Sequence, residues 1–305
     1  MARILVIGNC QAESVAESIR FFRPDSFVKH LLSWELSRWY DSSEAFVTDL
    51  RSFDAVFCQD VDLAPFVDGK VEGLKALFSN TFEFPIIVFP AYHPDLIYIT
   101  LAQPNVAQFF SSPIGSYNSA LALFGYKSDL SPYQTRRLFT DTVYARLGYY
   151  DMWESSQDAL LKAGRASGLR LDDVFTTWVR SGCFMHSINH AKMAPLIDIA
   201  RLLLGKTFGQ TTFEEAGPFL VDPAAKDAVW PIYPEIGERL GLRGSYMFRC
   251  PDYIAQQGQK YFSLDLFLAE SFKSFGFFPK AALTSDRVDA WLADKPLTDW
   301  LKAQV

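Results

Sequence analysis

The chain has 305 residues, 49% of them hydrophobic and 15% aromatic, a composition that builds a globular core and excludes a disordered polymer. A formal net charge of −6 argues against a nucleic-acid or anionic-membrane surface, because both need clustered lysine and arginine. No apolar run approaches the roughly 18 residues that span a bilayer, and the short run Ile4 to Ile7 before Gly8 is too brief for a signal-peptide core, so a cytoplasmic location is expected.

Residues 3–7 are apolar and rich in β-branched side chains until Gly8 breaks the run, the pattern of a strand buried on both faces of a parallel sheet. Ala12, Val15, Ala16, Ile19 and Phe22 then recur at helical spacing, Glu13, Glu17 and Arg20 face away, and Pro24 follows, which predicts a helix. Strands near 28–32, 55–58 and 85–89 and a helix near 71–78 continue the rhythm of a doubly wound sheet. Past about residue 105 the strand signal fades. Amphipathic segments at 119–124, 132–147, 155–166, 190–204 and 264–275 predict a mainly helical remainder. The expected fold class is therefore α/β: an N-terminal parallel, Rossmann-like sheet with a mainly helical C-terminal half packed on it. A soft boundary separates a sheet domain, 1–115, from a helical region, 116–305, unless the two form one domain.

In a parallel sheet the carboxyl ends of the strands share one rim, where ligands bind. Asn9, Cys10 and Gln11 follow the first predicted strand, Gln59 and Asp60 the third, and Tyr92, His93, Pro94 and Asp95 the fourth. Cys10 stands at a strand-to-helix turn, where a helix amino terminus lowers a thiol pKa and favours the nucleophilic thiolate. The amides near Cys10 and Gln11 are expected to point outward, toward a developing oxyanion. A small thiol buried at a strand end is the purely structural alternative. His93 precedes Pro94, which biases it to an extended conformation suited to a base aimed into a cleft, or else it packs in the core. Asp95 either orients it or begins the next helix.

The four cysteines are scattered without a C-x-x-C pair, and His186 and His190 lack the intervening glutamate of an H-E-x-x-H motif, so no metal is expected. Asn189 is placed to cap the following helix and, with Lys192, offers a phosphate seat, although capping alone also explains it. Lys127, Arg136, Arg137, Arg180, Arg243 and Arg249 are further candidates for a phosphate-rich cofactor, or ordinary solvated charges. The glycines form neither a G-x-G-x-x-G loop nor a Walker sequence, which argues against dinucleotide and ATP chemistry.

The stretches RILVIGNCQAESVAESIR, FPAYHPDL, SINHAKMAPLIDIARLL and VWPIYPEIGERLGL together resemble the WcbI-like polysaccharide-biosynthesis proteins, a family of capsule O-acetyltransferases that bind coenzyme A. GNCQ at the end of the first strand is the most specific element, and Ala191 departs from the proline expected after Asn189 and His190. The resemblance implies catalysis by Cys10 and His93, with Gln11 near the oxyanion. Asn9, Gln59, Ser119, Asn189, His190 and Lys192 are the candidate contacts to coenzyme A. Acetyl-CoA would be the acyl donor, and a sugar or polysaccharide precursor the acceptor. Covalent transfer through Cys10 and direct attack by a sugar hydroxyl deprotonated by His93 both remain open. The topology also resembles SGNH-type hydrolases with Cys10 in the place of serine, so a hydrolase or deacetylase is the alternative, and a non-catalytic nucleotide-binding module a third.

Overall fold

The computed structural model describes residues 1–103, 106–255 and 258–305, and in it the chain forms two compact units. Met1–Phe89, Ser156–Met185 and Asn189–Ala224 make the first; Pro90–Ser155, His186–Ile188 and Ala225–Val305 make the second. Each unit gathers discontinuous stretches, a division different from a single cut near residue 115. Residue 105, where the strand signal was expected to fade, lies outside the described residues. Among the described residues no helix is long and apolar enough to cross a membrane.

The first unit is built on a parallel sheet of four strands in the order β2-β1-β3-β4, with β1 Arg3–Gly8, β2 Phe27–Leu32, β3 Ala55–Cys58 and β4 Thr81–Glu83. Ile4, Leu5, Val6 and Ile7 are wholly buried, as a central strand covered on both faces must be. Helix α1, Gln11–Phe22, buries Ala12, Val15, Ala16 and Ile19 against the sheet, while the small residues Ser14 and Ser18 are buried too. That second buried face follows from α1 packing on β1 and β2 and also along the helix Met193–Phe208.

The fourth strand is not the predicted one. Residues 85–89 form no strand; the ladder is carried by β4, and its last link is the Phe84 amide donating to the Cys58 carbonyl at 3.1 Å. Pro85 has no N–H to continue it, and side-chain amides take over beyond, as described below.

The second unit is mainly helical, with short antiparallel pairings: Thr100–Gln103 with Val106–Phe109 and Leu283–Thr284, Leu96–Ile97 with Asn118–Ser119, and Met247–Arg249 with Tyr261–Ser263. Its core is strongly aromatic, with Phe248 stacked on Phe267 at 4.3 Å and Trp230 edge-on to both. The helix Leu264–Phe275 has the predicted bounds. The predicted helix 132–147 is two, Pro132–Arg136 and Asp141–Arg146, because the Thr140 hydroxyl accepts the Val143 amide and starts a new helix.

Candidate active site

Cys10 stands between β1 and α1, at the N-cap position of the helix, with its thiol half-buried. The turn around it is held by carboxamides. Asn9 accepts the Gln11 backbone N–H on its side-chain oxygen at 2.9 Å, and its own N–H donates to Gln59 Oε1 at 2.8 Å. Gln11 is 3% exposed. Its side-chain nitrogen donates to the carbonyls of Ile87 and Asn189, at 2.9 and 2.8 Å, and its oxygen accepts the Ile87 amide at 3.0 Å and Gln59 Nε2 at 3.3 Å. One glutamine side chain thus presents to Ile87 the donor and acceptor that a neighbouring strand would have supplied.

Gln59 is wholly buried, and its Nε2 also reaches the Pro85 carbonyl at 3.4 Å. A Cβ on Gly8 would lie 2.3 Å from Gln59 Oε1. Gly8 is therefore required for the close approach of this amide, a role beyond breaking the apolar run. Two expectations change accordingly. The Gln11 backbone N–H does not point outward to an oxyanion, because Asn9 takes it, and the Gln11 and Gln59 side chains hold the turn rather than face a ligand. The other three thiols differ from Cys10 in setting: burial pushes up the pKa of Cys58, Cys183 and Cys250, and Cys58 and Cys183 donate to the carbonyls of Gln59 and Met185.

His93 belongs to the second unit and follows the 3-10 turn Pro90–Tyr92 instead of a strand. It is 2% exposed, and its Nδ1 lies 3.3 Å from the Pro231 carbonyl oxygen. A carbonyl can only accept, so Nδ1 carries the proton of this bond, and whenever the ring is neutral its lone pair lies on Nε2. Asp95 neither begins a helix nor stands exposed. It is fully buried and accepts from Ser119 Oγ at 2.5 Å, the Leu121 amide at 3.0 Å, and the hydroxyls of Tyr149 and Tyr233, both at 2.8 Å. Burial raises its pKa, and the four donors pull it back toward the charged form.

Ser119, expected to contact a cofactor, is instead wholly buried: it caps the helix Ala120–Lys127 through the Ala122 amide while donating to Asp95. Beside the 3-10 turn, Ala91, Tyr149, Tyr150, Trp153 and Arg239 line a cavity of about 250 Å³. The Arg239 guanidinium lies over the Tyr150 ring at 4.5 Å, and both groups reach the Asp141 carboxylate.

The segment after Cys183 also departs from expectation. Ala191 bridges to Met185 and the Lys192 amide donates to the Phe184 carbonyl, so the chain stays extended and the helix begins only at Met193. Its N-cap residue is Lys192, not Asn189, and the Met193 amide donates to an Asp222 carboxylate oxygen at 3.2 Å. One backbone N–H of this helix start is thus taken by a carboxylate. A cleft of about 630 Å³ lies there, lined among others by Cys183, Lys192, Arg201, Asp198 and Asp222. Arg201 is paired with Asp198 at 3.0 Å, whereas Lys192 forms no ion pair among the described residues. Of the other basic candidates, Lys127 is held by Asp289 and the Leu283 carbonyl, and Arg249 by Asp252 and the carbonyls of Ala225 and Asp227. Among the described residues no three His, Cys, Asp or Glu side chains gather as a metal site.

Comparison with curated proteins finds no match. A solved structure described as native WcbI, a polysaccharide biosynthesis enzyme, without a disulfide bond between coenzyme A and one of its cysteines, is similar over 99% of this chain and 98% of its own, with a TM-score of 0.71 and 16% identity. That likeness is one of fold. The family model of the polysaccharide biosynthesis enzyme WcbI matches residues 3–208, a stretch that holds the Cys10 turn, the His93 turn and the helix after Lys192. With more than half of its length matched, the chain belongs to the family of WcbI polysaccharide biosynthesis enzymes.

Proposed function

We propose that this protein is a coenzyme A-dependent acyltransferase that O-acetylates a sugar of a surface polysaccharide or its precursor. The observation that carries the reading is Cys10: a half-buried thiol at the head of α1, in a turn made rigid by paired amides, in a family of polysaccharide biosynthesis enzymes. The description of the similar structure, which sets coenzyme A and a cysteine side by side, supports the same donor here. Coenzyme A supplies an acyl group activated as a thioester.

In this reading Cys10 attacks the acyl carbonyl carbon, and the thioester's own sulfur leaves. The acceptor oxygen then bonds to the acyl carbon, the bond from that carbon to the Cys10 sulfur breaks and restores the thiolate, and we assign the hydroxyl proton to His93 Nε2, with Nδ1–H kept on the Pro231 carbonyl. Gln11 and Gln59 act by holding the turn. Lys192 is the cation we assign to a phosphate, in the company of Asn189 and His190. For the acceptor, the cavity beside the His93 turn is lined by Tyr150, Trp153 and Arg239, a mixture of aromatic and polar side chains suited to a sugar ring.

The test combines calorimetry with coenzyme A and transfer rates from acetyl-CoA to sugar acceptors. Cys10→Ala should keep coenzyme A affinity within a few fold and lose at least about 10³-fold in turnover. Competitive alkylation of the native protein should modify Cys10 ahead of the three cysteines whose pKa burial has raised. Wild-type turnover in Cys10→Ala, or no binding of coenzyme A at all, would sink the reading.

A further inference from the structure

His93 and Asp95 are two residues apart, and so are their partners Pro231 and Tyr233. The Pro231 carbonyl meets His93 Nδ1 at 3.3 Å, and the Tyr233 hydroxyl donates to Asp95 Oδ2 at 2.8 Å. The turn at residues 93–96, closed by the Leu96 amide on the His93 carbonyl, is thereby stapled to residues 231–233 at two points. Everything that fixes the second point converges on Asp95. Its remaining acceptor capacity is taken by Ser119, Tyr149 and the Leu121 amide, and its own backbone carbonyl accepts the Ala120 amide, so the carboxylate is tied to the start of the helix Ala120–Lys127. Between the two points Arg287 donates to the Pro94 carbonyl, and on the partner stretch the Ser245 amide donates to the Ile232 carbonyl. The staple therefore has little freedom to slide.

A histidine serves as a base through one chosen nitrogen only if something holds the proton on the other. We propose that Asp95 is a positioning residue for His93: acting through the Tyr233 hydroxyl, it places the Pro231 carbonyl on Nδ1 and so reserves Nε2 for the acceptor's proton. The inference rests on the reading of His93 as the base. It assigns the carboxylate a place unlike that in a triad, where the acid meets the imidazole directly; here a backbone carbonyl meets the ring and the acid sets the carbonyl.

The experiment uses the full chain labelled with ¹⁵N-histidine. Long-range ¹H–¹⁵N spectra, taken well above the pH at which the ring titrates, report the tautomer of each of the four histidines, and His93→Gln identifies the signal of His93. The wild type should show Nδ1–H and a lone pair on Nε2. Tyr233→Phe, which removes one hydroxyl and keeps the ring, should mix the two tautomers, displace the acid limb of the kcat/KM profile and lower kcat about tenfold with little change in KM. Tyr246→Phe is the control: Tyr246 is a half-buried phenol bonded to Tyr144 and Glu235 outside the staple, and its loss should leave the His93 spectrum and the pH profile unchanged. An Nε2–H tautomer in the wild type overturns the proposal. So does a Tyr233→Phe protein with an unaltered His93 spectrum. Should the spectra behave as stated while His93→Gln keeps full turnover, the staple stands and the base assignment of the preceding section falls.

Discussion

Around Cys10 the groups that hold the chain are carboxamides, each meeting backbone or another carboxamide; around His93 one buried carboxylate gathers a serine, two tyrosines and a backbone amide. The side chains that hold the first region, Asn9, Gln11 and Gln59, do not ionise, so the scaffold around the thiol is indifferent to pH. The second depends on one charge. A protonated Asp95 would have to donate a hydrogen where four donors already point in, so acid disturbs the His93 side first. The contrast separates two tasks: a nucleophile needs a seat that stays put, while a base needs its proton directed.

Making the first region resemble the second gives the largest expected effect. Gln11→Glu places a carboxylate where Ile87 and Asn189 carbonyls need donors, and should cost about 3–5 kcal/mol at pH 7. Burial would raise the folded-state pKa of that glutamate, so the stability of the variant should be best below the ordinary glutamate pKa of about 4.3 and fall as pH rises. Urea unfolding across pH 4–8 measures both, and a flat profile would break the comparison.

Next comes Gly8→Ala. The new methyl meets the Gln59 carboxamide, itself held by Asn9 and Gln11, and about 1–3 kcal/mol of stability should be lost in the same unfolding assay.

The third prediction concerns alkali. Burial first, and the Asp95 carboxylate second, raise the pKa of Tyr149 and Tyr233 well above the ordinary phenol value. In the unfolded chain these phenols ionise near pH 10, while in the folded protein they remain protonated. Their contribution is therefore fully present below about pH 10 and is lost as pH rises further, at about 1.4 kcal/mol per pH unit for each. Tyr233→Phe should flatten the alkaline decline by one such share, read from denaturant unfolding between pH 9 and 11. Gln11→Ala should leave that slope unaltered, although it lowers stability at every pH.

Periodicity made β1, α1 and the placement of Cys10 between them legible, because central strands and two-sided helices write their burial into consecutive residues. The helix Leu264–Phe275 was legible for the same reason. What failed depended on side chains replacing backbone. Residues 85–89 carry the composition of a strand, but their partners are Gln11 and Gln59, and no local pattern announces that a glutamine will act as a strand. Asp95 next to a proline reads as a helix start, yet its donors come from positions 119, 121, 149 and 233, which only the folded chain assembles. Short elements such as Thr100–Gln103 and Val106–Phe109 are too brief for periodicity to speak. Helix starts misread for a related reason: at 190–192 the bridge of Ala191 to Met185 overrides the propensity of the residues themselves.

The bond from Gln11 to the Asn189 carbonyl joins residues 178 positions apart in sequence. In a chain made amino terminus first Cys10 precedes Asn189, so the Gln11 amide beside it cannot find its last partner until residue 189 has been made. Long-range closures of this kind come late in folding because the entropy of the intervening chain must be lost first. The thiol is thus synthesised well before the last partner of its seat, and that seat closes only once both ends of the separation are present.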